Sequence, residues 1–176
     1  AISAMLLTAT MIAIDASFVA YASAAEQAST QSGIRMVMHR LIKLIRTSTA
    51  HGPLQGDPDS DPPAILNGNT VSSPYVEMID AQQNMVRVEY RPANQQLWMI
   101  ITPFGGNPSE QPILDAVTAA QFTCERRINS ENLLVLERAT VELTVQPNPN
   151  AILAIEKGPA QPIRMVGSTM PRKLED

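Results

Sequence analysis

The side chains able to hold a metal, attack a carbonyl or move a proton near neutral pH are few and scattered. There are two histidines, His39 and His51, and one cysteine, Cys124. Common zinc sites need these types in clustered pairs such as HExxH or CxxC, and neither spacing occurs. GxSxG, GxxxxGK[ST] and GxGxxG are also absent, which removes the usual hydrolase elbow and the usual phosphate cradles. Gly105 and Gly106 lack the following Lys or helix that a phosphate loop needs, and read as a turn. Cys124 shares a strand face with Phe122, so it reads as a buried structural thiol. Trp98 and Met99 suit a groove or a sheet core, the core being the default. Glu125, Glu137 and Glu142 alternate with basic residues and suit cross-strand ion pairs. No acid, base and oxyanion donor assemble from these residues. The expectation is a non-enzymatic protein without catalytic residues, metal or cofactor.

One spacing points toward a cation. Asp57, Asp59 and Asp61 alternate as the first acidic ligands of a calcium loop do. Pro62 then stands where the loop turn needs Gly, and Gly68 where the bidentate Glu belongs. The segment GPLQGDPDSDPP reads either as a partial calcium loop or as a solvated acidic loop.

The elements that position these residues begin with residues 1–47. That stretch holds none of the chain's 14 prolines and a single glycine, Gly33, so it predicts one helix of roughly 70 Å. Its halves differ. Residues 1–25 carry one charge, Asp15, and present Leu6, Leu7, Met11, Ile14 and Phe18 for membrane or assembly contacts. Residues 26–48 become polar at 29–32 and then amphipathic. Ile34, Val37, Met38, Leu41, Leu44 and Ile45 form the apolar stripe, of which Ile34, Val37, Met38, Leu41 and Ile45 are expected to pack on a sheet. Arg35, His39, Lys43 and Arg46 lie off that stripe, either as a solvated face or as a docking patch for acidic partners or lipid headgroups. The chain opens on Ala within an apolar pattern, which suggests a helix that starts further upstream. The uncharged run 1–14 is short of the ~20 residues a bilayer needs, and about ten more apolar residues would complete it.

The helix is expected to stop near 48–52, with HGP as cap and breaker. From there the period becomes two. Strands are predicted at 75–81, 84–91, 96–102, 120–128 and 133–146, with weaker ones at 151–156 and 163–166. Residues 103–112 and 129–132 read as loop and turn. The fold expected is α+β: a long N-terminal helix, residues 1–50, packed on a mostly antiparallel sheet domain, residues 51–176. With 13 Lys and Arg against 17 Asp and Glu, the formal net charge is −4, and no nucleic-acid partner is expected.

The order AISAMLLTATMIAI, an amphipathic half ending MHRLIKLIR, then VRVEYRPANQQLWM, PILDAVTAAQFTCE, VELTVQ and STMPRK resembles type IV pilin-like proteins. More narrowly it resembles the J-type minor pseudopilins of type II secretion systems and related minor pilins. AISAMLL is similar to the stretch just after their prepilin cleavage site. The Gly, aromatic residue and Glu of that site are not in this sequence, so no processing residue is carried over. The resemblance implies a protein that is cleaved, N-methylated and held in the bacterial inner membrane with a periplasmic globular domain. It implies helix packing against other pseudopilins or pilins, within secretion machinery, as a structural minor subunit of a pseudopilus or pilus-like fibre. A binding module, such as a DNA-uptake or adhesion pilin, and a membrane-anchored periplasmic enzyme stand as alternatives.

Overall fold

The computed structural model describes residues 2–53, 65–67, 69–130, 134–147 and 161–171. The protein is α+β. A single unbroken helix, α1 (Ile2–Thr47), comes first. Ten strands follow: β1 (Thr49–Gly52), β2 (Ile65–Asn67), β3 (Thr70–Ser73), β4 (Tyr75–Ile79), β5 (Met85–Arg91), β6 (Gln96–Thr102), β7 (Ser109–Leu114), β8 (Val117–Ile128), β9 (Leu134–Val145) and β10 (Ile163–Thr169). They form two antiparallel sheets of five strands each, ordered β1-β4-β5-β6-β7 and β10-β9-β8-β3-β2.

Several expectations are corrected. The helix does not run on to a glycine cap within HGP. Ser48 N–H still bonds Leu44 O at 3.0 Å, and Ala50, at φ 48°, takes the left-handed conformation expected of a cap glycine. Residues 49–52 then pair with β4 as an edge strand. There are two sheets, not one. The expected loop 103–112 is partly strand: β7 lies at a sheet edge, where Pro112 loses no ladder bond that matters. β4 ends at Ile79 because Asp80 makes the turn, accepting the N–H of Gln82 at 2.9 Å and of Asn84 at 2.8 Å. β2 and β3 were not predicted. Residues 151–156 and the aspartates at 57, 59 and 61 lie outside the described residues.

The β5–β6 hairpin pairs as its alternation suggests, with Val88 opposite Met99 and Tyr90 opposite Leu97. Val86, Val88, Leu97 and Met99 from the first sheet meet Phe122, Cys124, Ala139, Val141, Leu143 and Val145 from the second in one core. Ile34, Met38, Leu41 and Ile45 of α1 complete it. The helix touches β7 at the edge of one sheet and β10 and β9 at the edge of the other, so it closes the core between them. Pairing of Glu125 with Arg138 and of Glu142 with Arg164, both at 2.9 Å, ties the polar side of β8, β9 and β10. Glu137 is exposed. Trp98 is not a core residue: it lies half-buried on the outer side of β6, with the Arg91 guanidinium 4.4 Å above its ring.

Candidate functional site: the two halves of the long helix

The amphipathic half of α1 is positioned by three devices. The first is apolar burial of Ile34, Met38, Leu41 and Ile45, with Val37 and Leu44 half-buried against the same cluster. The second is a close approach to β10. A Cβ on Gly167 would lie 2.7 Å from Ile42 Cδ1 and 3.0 Å from Met38 Sδ, so any side chain there would displace the ends of these two helix residues. The third is a clasp at the helix end. His51 Nε2 lies 2.8 Å from Ile45 O, one of the carbonyls the helix leaves unmatched. The buried Arg126 donates from Nη2 to His51 O and Pro53 O, both at 2.8 Å. The Arg126 N–H bonds Asn69 O at 3.0 Å. Burial lowers the His51 pKa below its ordinary 6.5, the bond to Ile45 O opposes this, and the Arg126 charge adds to the lowering.

The other half stands free of the sheets. Leu6, Leu7, Met11, Ile14 and Phe18 are 56–70% exposed, and Tyr21 is exposed beside them. An 18-residue window within Leu6–Thr47 reaches a mean hydropathy of 1.5 with none of it buried in the chain. The helix is therefore long and apolar enough to span a membrane. Residues 6–25 amount to about 30 Å of helix, which matches a bilayer's hydrocarbon. Its hydroxyls also suit an apolar surround. Thr10 bonds the carbonyls of Leu6 and Leu7, Ser17 that of Ala13, and Ser23 that of Ala20. Each hydroxyl is satisfied by the preceding turn and needs no water. Leu7, Met11, Ile14, Phe18 and Tyr21 recur every three or four residues as one ridge of large side chains. Ala9, Ala13, Ala16, Ala20 and Ala24 line the opposite face.

Arg35, His39, Arg40, Lys43 and Arg46 are exposed along the amphipathic half, with Met36 beside them. The remaining chemistry-bearing residues do not converge. His39 and His51 are separated by the helix end, one exposed and one clasped. Burial pushes the Cys124 thiol above its ordinary pKa of 9.0, against a smaller lowering by Arg126, which keeps it protonated. Among the described residues no three His, Cys, Asp or Glu side chains group as a metal site would. Gly106 N–H bonds Pro103 O at 2.9 Å in a plain turn. Sequence reasoning missed Gly167 and Arg126. A glycine interrupting an apolar strand was the only available sign of the first. An arginine between Cys124 and Ile128 gave no sign of the second. No family model, curated protein or solved structure matches the chain.

Proposed function

We propose that this protein is a structural minor subunit of a pseudopilus or type IV pilus-like fibre in protein secretion. Its N-terminal helix anchors it in the bacterial inner membrane, and its β-rich domain stands in the periplasm. Other pseudopilins or pilins pack against the helix, with the secretion machinery as the wider partner.

The observation that carries this reading is the division of one continuous helix. Ile34, Met38, Leu41 and Ile45 are part of the domain core, while Leu6, Leu7, Met11, Ile14, Phe18 and Tyr21 have no cover among the described residues. Burying that length of apolar surface needs lipid or other helices. A rigid connection between the two halves transmits the position of the membrane part to the domain. The sequence resemblance to J-type pseudopilins supplies the narrower assignment.

The test is deletion of the gene in its own host, followed by the distribution of secreted proteins. The expected result is their retention in the periplasm, restored by the intact chain and not by a Leu7→Arg/Phe18→Arg variant. Normal secretion with loss of DNA uptake or surface adhesion would replace this reading with that of a binding pilin.

A further inference from the structure

Phe104 is 94% exposed, more than any other large apolar side chain among the described residues, those of the free half of α1 included. It stands at the tip of the β6–β7 hairpin, second in the turn Pro103–Gly106. The Gly106 N–H closes that turn on Pro103 O at 2.9 Å, and Gly105 takes φ 71°. A type II turn calls for glycine at its third position and favours proline at its second, so nothing in the turn itself asks for an aromatic ring. Residues 103–108 carry no charge.

The topology places this turn relative to α1. β1 and β7 are opposite edges of the first sheet. The helix ends at Thr47, just before β1 begins at Thr49, yet it also touches β7. It therefore crosses the sheet from β7 to β1, over four strand spacings or about 19 Å. About thirteen residues of helix cover that distance, which sets β7 level with Ile34, where the buried stripe begins. β7 is thus the strand of its sheet nearest the apolar half of α1.

We infer that the β6–β7 turn rests on the bilayer surface and inserts Phe104 at the lipid headgroup level, as a second membrane contact beside α1. The inference rests on the reading of residues 6–25 as the membrane half of the helix. From residue 25 to the level of β7 is about 13 Å along the helix. The headgroup layer fills about 5–8 Å of that gap. β6 is seven residues long and runs across the helix direction, so it carries the turn as much as about 20 Å to one side. A helix tilt of about 20°, ordinary for a membrane span, lowers a point that far aside by about 7 Å. The ring then reaches the headgroup layer, where its apolar surface finds cover. A single span leaves rotation about the helix axis free, and the second contact removes that freedom. The domain then presents a fixed face to whatever it meets along the membrane.

Trp98 is the chain's single tryptophan, so the full chain with Trp98→Phe reports from one introduced site. It is reconstituted in vesicles whose acyl chains carry bromine either near the headgroup end or near the chain tip. Ile128 is the comparison site: it is 58% exposed at the end of β8, beside the Arg126 contact to β1 at the far edge of the sheet. Phe104→Trp should emit at shorter wavelength than Ile128→Trp. It should be quenched by the shallow bromine and little by the deep one, and Ile128→Trp by neither. Deep quenching of Phe18→Trp with none at position 104 would overturn this inference and leave the membrane half of α1 standing. Equal quenching at positions 104 and 128 would also overturn it, because the domain would then adsorb without using the turn. No quenching at either 18 or 104 would overturn the inference together with the membrane reading of α1.

Discussion

Arg126 is the residue on which the join between helix and sheets depends. It is 4% exposed and donates to the carbonyls of His51 and Pro53, which hold β1 in place after the helix ends. Removing a charged donor from two buried carbonyls leaves both unsatisfied. Arg126→Ala should therefore lower the unfolding free energy by about 2–4 kcal/mol, measured by denaturant unfolding of the full chain in detergent. His51 adds a pH dependence. Its pKa is lowered on folding, so the unfolded state binds more protons. The stability it contributes is fully present above pH 6.5 and is lost as pH falls from there through the folded-state value. His51→Gln, which retains an N–H for Ile45 O, should flatten the melting-temperature profile in that window. An unchanged slope would place the pH dependence elsewhere.

Among the elements, α1 docks closely on β10 at Gly167. At Gly167 an added methyl meets Ile42 Cδ1, the movable end of a side chain, and Met38 Sδ. Gly167→Ala should destabilise by about 1 kcal/mol and Gly167→Val by about 2–3 kcal/mol, in line with overpacking of a filled contact. Thermal unfolding of the two variants checks the order. The helix itself was legible because nothing in 1–47 breaks it, and its buried stripe was legible because Ile34, Met38, Leu41 and Ile45 recur at helical spacing. The β5–β6 and β8–β9 pairs were legible from alternation. What was not legible is instructive. β7 carries Pro112 and polar residues, since an edge strand pairs on one side only and keeps little apolar pattern. The division into two sheets depends on where β3 attaches to β8, a contact between residues distant in sequence that local periodicity does not encode. Trp98 was assigned to the core by residue type, but its parity along β6 puts it with Arg91 on the outer side.

Taken whole, the molecule is one helix living in two surroundings. One face of its second half is sheet core, and its first half is an apolar rod whose Thr10, Ser17 and Ser23 hydroxyls bond its own backbone and which has no cover among the described residues. The functional proposal follows from that division, and so does its most direct test. The full chain carrying Phe18→Trp and Trp98→Phe is reconstituted in vesicles whose acyl chains bear bromine. Tryptophan at position 18 in hydrocarbon should emit at short wavelength and be strongly quenched by the bromine, and Met36→Trp on the same background, beyond the apolar half, should not be quenched. Red-shifted, unquenched emission from position 18 would contradict the account, because the apolar half of α1 would then lie outside the membrane.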